Sequence, residues 1–122
     1  MIGAAYHVAM NSDCLFCRIV SGELPSDEVH REAGIIAFQD IHPVAETHVL
    51  VVPKRHIEDL RHLRDQDASL WLRLTQVANE VAADLGHDQG YRFYVSVGQA
   101  GGQTVPHLHI HVMAGSMRRL PA

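Results

Sequence analysis

The chain reads as an α+β fold with a mostly antiparallel sheet, and three observations predict it. Strand-like and helical hydrophobic periods share one chain of 122 residues. They follow the order short helix, strands, long helix, strands. A hairpin signal, Glu32-Ala33-Gly34, separates the first two strand runs.

Each element has its own justification. Ser12 or Asp13 can cap a short helix from about Cys14 to Ser21, which Gly22 and Pro25 end. Strand-like runs follow at about 28–31 and 35–39. His42-Pro43 marks a turn, and residues 47–53 form the most apolar strand candidate. The spacing then predicts a helix from about Asp67 to Leu85, because Leu70, Leu74, Val77, Ala78, Val81 and Leu85 recur at three- and four-residue steps. Asp65 or Asp67 can cap it and Gly86 can stop it. Trp71, beside the stripe, reads as core or interface. Two further strands, 91–97 and 107–113, flank a loop at 98–106 that carries three glycines. The expected organisation is an N-terminal extension over 1–13, with Met10 as a second possible start, one domain over 14–115 and a tail over 116–122.

Composition excludes several functions. Lys+Arg number 10 against Asp+Glu 14, a net charge of −4, so there is no basic face for nucleic acid and the Arg118-Arg119 pair is too short to supply one. Apolar runs such as Val49-Leu50-Val51-Val52 fall far below the ~20 residues of a membrane span. No secretory signal is visible, and Cys14-x-x-Cys17 in such a chain points away from a structural disulfide. The expected location is the cytoplasm.

The chemistry concentrates in His107-Leu108-His109-Ile110-His111. Strand alternation places the three rings on one face, successive ones roughly 6–7 Å apart. Such a row is a solvated strand face, a metal site, or a nucleophile flanked by orienting neighbours. Imidazole, with its ordinary pKa of about 6.5, suits the last two near neutrality. The preceding glycines allow backbone amides to approach an anion, and Gln103 and Thr104 can add neutral donors. A glycine-rich loop joined directly to a histidine row therefore reads as a phosphate cradle beside a nucleophile. For Cys14-Leu15-Phe16-Cys17 a thioredoxin-like redox role lacks its βαβ context. Two inert buried thiols, or a zinc site completed by two distant histidines, are the readings that stay open. His56, after Lys54-Arg55, reads as structural or solvent-facing, and His7, His30, His42, His62 and His87 as surface residues.

With these motifs in view, the chain resembles the histidine triad superfamily. The resemblance rests on residues 102–113, GQTVPHLHIHVM, and on CLFCRIV at 14–20, AFQDI at 37–41, THVLVVPKRHI at 47–57, Leu85-Gly86 and Gly90-Tyr91-Arg92. It spans nearly everything from Cys14 to Gly115 and is greatest to the Hint branch, the histidine-triad nucleotide-binding proteins, in their bacterial form with Cys-x-x-Cys. It implies the superfamily's fold, a five-stranded antiparallel sheet with one long and one short helix. It also implies a homodimer joined through the long helix and the 91–97 strand.

The resemblance further implies a reaction and its residues. His109 would attack the α-phosphorus of a purine nucleoside 5′-phosphoramidate or related ester, and water would then release NMP from a nucleotidyl-histidine. His107 would orient His109 through its backbone carbonyl, and His111 would bond near the scissile phosphate oxygens. Asp40 would hold the ribose, while Leu15, Phe16, Ile19 and Ile41 would form the slot for the base, an AMP or GMP moiety. Ser96, Gly102, Gln103 and Thr104 would lie at the phosphate. Ser96 departs from the branch, which usually places Asn there, and the tail lacks the tryptophan of the animal enzymes. For zinc the resemblance implies Cys14, Cys17, His48 and His107 as a structural site, with no catalytic metal. The alternatives are a dinucleoside polyphosphate hydrolase and a nucleotide-binding scaffold with vestigial activity, the latter favoured by Ser96.

Overall fold

A computed structural model describes residues 13–117 of the chain. Of the expected N-terminal extension only Asp13 is among them, and of the expected tail only Ser116 and Met117. Met10, His7 and the Arg118-Arg119 pair lie outside the described residues.

Five strands make one sheet: β1 (Glu28–Glu32), β2 (Ile35–Gln39), β3 (Ala45–Pro53), β4 (Arg92–Tyr94) and β5 (Ile110–Met117). Their order across the sheet is β1-β2-β3-β5-β4, and every neighbouring pair is antiparallel. Gly34, at φ 86°, supplies the left-handed residue of the β1–β2 hairpin. The helices are α1 (Leu15–Val20) and α2 (Ala68–Asp84), the latter entered through a 3-10 turn, Asp65–Asp67. Among the described residues no helix is long and apolar enough to cross a membrane.

Alternation along the strands divides the sheet into two faces. Ile35, Ala37, Val49, Val51, Ile110 and Val112 pack beneath α2 against Leu74, Val77, Ala78 and Val81. Trp71 is partly buried against the same cluster. Ile36, Phe38, Leu50 and Val52 face the other way, against Phe16, Cys14 and Cys17 of the α1 segment. Both faces of the central strands are thus covered, which is why residues 47–53 read as a nearly continuous apolar run.

Three expectations need correction. The cap of α1 is Cys14 and not Asp13, its Sγ accepting from the Cys17 backbone N–H at 3.4 Å, while Ser12 lies outside the described residues. The last strand begins at Ile110 rather than at His107. Leu108 N donates to Ile57 O at 2.7 Å and the His107 carbonyl is taken by a side chain, so this segment has no ladder partner. The strand expected over 91–97 shrinks to Arg92–Tyr94 for the same reason. Tyr94 pairs with His111, and β5 extends only one residue further, to Ile110, so it offers β4 little more to pair with.

Candidate active site and metal centre

The histidine face is the α1 face. Residues 109 and 111 alternate with Ile110 and Val112, which lie under α2, so both imidazoles project toward Phe16 and Phe38. A cleft of about 380 Å³ opens there. Leu15, Phe16, Ile19, Asp40, Ile41 and Thr104 line it together with His109 and His111, so these expected site residues share one cavity. Phe38, Leu50, Leu24 and Val105 add apolar wall that the sequence reading missed. The signal for Phe38 and Leu50 was their strand parity with the histidines. The Phe16 ring stands edge-on to His109, with centroids 5.0 Å apart.

Hydrogen-bond partners fix the state of each ring. His109 Nδ1 lies 2.7 Å from the His107 carbonyl, which can only accept, so Nδ1 carries the proton and Nε2 presents a lone pair. Burial pushes the His109 pKa down, which keeps the ring neutral. Val44 N–H donates to His48 Nδ1 at 3.1 Å, so the proton of neutral His48 sits on Nε2. That nitrogen faces His111 Nδ1 at 2.8 Å and Asp40 Oδ2 at 3.4 Å. His111 therefore accepts at Nδ1 and holds its own proton on Nε2, as a donor. Burial, then the neighbouring His109 and His48, lower its pKa to about 4. The result is two neutral imidazoles in complementary states, one presenting a bare Nε2 lone pair and one an Nε2–H donor.

His107 does something else. Its Nε2–H donates to the Pro53 carbonyl at 2.8 Å, which leaves the Nδ1 lone pair aimed at Cys14 Sγ, 3.2 Å away, and Cys17 Sγ, 3.6 Å away. The fourth member is His56, with Nδ1 3.4 Å from Cys17 Sγ. All four ligand atoms lie within 4.8 Å of one another. Zinc bonds of ~2.0 Å to nitrogen and ~2.3 Å to sulfur set a tetrahedral S···N edge of roughly 3.5 Å, and the three S···N distances bracket it. A buried histidine whose second nitrogen is held by a carbonyl is the arrangement metal sites use. Burial lowers the pKa of His107 to about 4 and depresses that of His56, which keeps both lone pairs free.

His48, the ligand expected from the resemblance, stands elsewhere, and His56 takes that place. On β3 His48 pairs with Met113 and Leu50 with His111, so the His48 ring falls on the far side of His111, toward Asp40. His56 follows the end of β3 at Pro53, the residue whose carbonyl holds His107. Nothing in the sequence alone distinguished these two among ten histidines. Of the other expected surface histidines, His30 meets Glu32 and His62 meets Asp59 locally, His87 meets Thr47 from forty residues away, and exposed His42 stands at the rim of the cleft.

The glycine loop is stapled from within. Gly98 N–H donates to Gln103 Oε1 at 2.8 Å, and Gln103 Nε2 donates to Glu58 O and Val105 O at 2.8 and 3.0 Å. Both amide hydrogens of Gln103 are engaged, so it shapes the loop and offers no donor to an anion. Gly98 and Gly102 have φ of 74° and 94°, left-handed values that favour glycine. A Cβ at Gly98 would also stand 3.0 Å from the Arg61 guanidinium, which buried Asp59 holds at 2.7 Å. Gly102 and Gln103 line a separate recess that meets the cleft only at Thr104. Ser96 does not line the cleft; its Oγ lies 3.8 Å from where a Cβ on Gly102 would be.

Known proteins with this architecture are numerous. Residues 21–117 match the HIT domain family. An uncharacterized HIT-like protein of Synechococcus elongatus is 39% identical over 106 residues, covering 87% of this chain and 93% of that one. The crystal structure of a HIT family hydrolase from Legionella pneumophila superposes with a TM-score of 0.84 at 38% identity, covering 88% of this chain and 97% of that one. A histidine triad nucleotide-binding protein from Candida albicans superposes with a TM-score of 0.75 at 30% identity, covering 89% and 83%. With a cleft built on His109 and His111 and matches of this extent, the chain belongs to the HIT domain family.

Proposed function

We propose that the protein hydrolyses purine nucleoside 5′-phosphoramidates, or related NMP esters, through a covalent nucleotidyl-histidine. The observation that carries this reading is the bare Nε2 of a neutral, backbone-oriented His109 in an apolar cleft of about 380 Å³. The base would enter between Phe16, Phe38, Ile19 and Ile41, and the Asp40 carboxylate would meet the ribose. His109 Nε2 forms a bond to the α-phosphorus as the P–N bond to the amine breaks. The amine leaves with that electron pair and takes one proton from solvent. His111 Nε2–H donates to a phosphate oxygen, neutralising charge without competing as a nucleophile. Water then attacks phosphorus, the bond to His109 breaks, and one water proton returns to solvent as NMP departs.

Two supports accompany the site. Cys14, Cys17, His56 and His107 would hold a structural zinc ion. When bound, it would tie the start of α1 to the segment that leads into His109. A homodimer fits the outer edge of β4, on which Phe93 is exposed, and Leu72 of α2 is exposed as well. The reading places the enzyme in the cytoplasm.

Replacing His109 with Asn tests the mechanism. An AMP amide assay should show kcat/KM down by about 10³-fold or more, with AMP affinity held within a few-fold. Turnover equal to that of the unaltered protein would reject the nucleophile and leave a binding role. A dinucleoside polyphosphate hydrolase is the second reading, but no Lys or Arg among the described residues lines the cleft to meet a polyphosphate.

A further inference from the structure

The chain's two cysteines take no part in the proposed chemistry, yet they touch its scaffold. Both are buried, at 4% and 2% exposure, and neither is in a disulfide. Cys14 caps α1 and Cys17 lies one turn on, its backbone N–H 3.4 Å from Cys14 Sγ. The two Sγ atoms lie within 4.8 Å of each other. Side-chain rotation can close that gap toward the ~2.05 Å of an S–S bond, because residues one helical turn apart share a face. Each sulfur, however, has a partner that a disulfide would take away. His107 Nδ1 lies 3.2 Å from Cys14 Sγ and 3.6 Å from Cys17 Sγ, and His56 Nδ1 lies 3.4 Å from Cys17 Sγ. Two thiols can donate S–H to these lone pairs, and as thiolates they can share a metal ion with them. A disulfide has neither proton nor charge to offer.

The path from these sulfurs to the cleft is short. Phe16 stands between the two cysteines in sequence, and its ring meets those of His107, His109 and Phe38 edge-on, with centroids 5.8, 5.0 and 5.5 Å apart. His107, the partner of both thiols, gives its carbonyl to His109 Nδ1 at 2.7 Å. What holds the His107 ring therefore also holds the cleft wall and the residue that orients His109. A small oxidant has a way in from the other side. His56, in contact with Cys17, also lines an open recess of about 410 Å³.

We propose that Cys14 and Cys17 are a reversible redox site, which peroxide closes into a disulfide that unties α1 from His107 and His56 and slackens the Phe16 wall of the cleft. One thiolate attacks a peroxide oxygen, the O–O bond breaks, and the departing hydroxide takes up the thiol's proton as water, leaving a sulfenic acid. The second thiolate attacks that sulfur, the S–O bond breaks and a second water leaves. The two sulfurs together lose two electrons and the peroxide gains both. A zinc ion held by the group would be released with the loss of its thiolates. The test treats the full chain with hydrogen peroxide, blocks the remaining thiols and mass-analyses the peptides. The peptide holding Cys14 and Cys17 should be lighter by two hydrogens and should recover with dithiothreitol. Hydrogen exchange should quicken over residues 14–21 and 105–109, and AMP should bind about fivefold more weakly or worse, as coupled sites do. Any zinc should pass to a chromogenic chelator as the thiols disappear. Cys17→Ser should lose the exchange response to peroxide; if that variant does not fold, reversal by dithiothreitol in the unaltered protein carries the same test. Thiols untouched by peroxide, or carried past a disulfide to sulfinic acid, would overturn the site. So would a disulfide that leaves exchange and AMP affinity unchanged. Failure of the reduced protein to bind AMP would instead remove the nucleotide reading, and mass and exchange would still decide this one.

Discussion

Three adjacent histidines of one type end in three chemical states, and the cause in each case is the partner on one ring nitrogen. The Pro53 carbonyl leaves His107 with an Nδ1 lone pair toward the thiols, the His107 carbonyl leaves His109 with a bare Nε2, and His48 leaves His111 as a donor. Sequence spacing put the rings on one face but could not assign these partners, because Pro53 and His48 come from a strand more than fifty residues earlier. His48 and His56 illustrate the same limit: they flank one apolar run, residues 49–53, and only its register against β5 separates their surroundings. Their roles can be told apart by metal analysis. Protein purified without added metal should carry about one zinc per chain, His56→Ala should lose it, and His48→Ala should keep it. Retention in His56→Ala with loss in His48→Ala would restore the ligand set implied by the resemblance.

Element boundaries follow hydrogen-bond supply as much as side-chain pattern. Alternation made β2 and β3 legible, and the three- and four-residue stripe made α2 legible, since Leu74, Val77, Ala78 and Val81 are buried as their spacing requires. β4 and β5 were drawn too long at the ends where Leu108 turns its N–H to Ile57, a pairing no local pattern reveals. Leu74 has no exposed surface, so Leu74→Ala should cost about 2–5 kcal/mol in chemical denaturation. The link between α2 and the edge strand β1 is ionic. Arg73 donates to Glu32 at 2.7 and 2.9 Å and also to Glu80, while His30 meets Glu32 at 2.7 Å. Arg73, then His30, lower the Glu32 pKa to about 2 from its ordinary 4.5. That contribution is complete above about pH 4.5 and fades as pH falls toward 2. Acid titration of stability should show this loss in the unaltered protein and less of it in Glu32→Gln; identical curves would contradict the assignment.

At the scale of the molecule, the sheet's two faces have different tasks. The α2 face is core, and the α1 face carries the histidines, with the Cys14-Cys17-His56-His107 group at one end of the row and the His48–His111 pair at the other. This division costs acid stability. His111, at about 4, is neutral in the fold and takes a proton near 6.5 when unfolded. Its contribution is present above pH 6.5 and is lost as pH falls from there to about 4. Because His107 is also lowered to about 4 and titrates in the same window, His111→Asn should reduce the slope of thermal stability there without abolishing it, and an unchanged slope would count against a half-buried neutral ring. Fold class, the five strands and half of the cleft residues were readable because periodicity and motif are local. The state of each imidazole was not, because it arises where strands distant in sequence meet.

The claim on which the rest depends is covalent chemistry at His109. It is most directly tested by quenching the protein in acid-avoiding conditions during turnover of an AMP amide and mass-analysing its peptides. The account predicts an adenylyl adduct on His109 that disappears as AMP is released and is missing from His109→Asn. Hydrolysis at full rate with no adduct on His109, or an adduct on another residue, would contradict it.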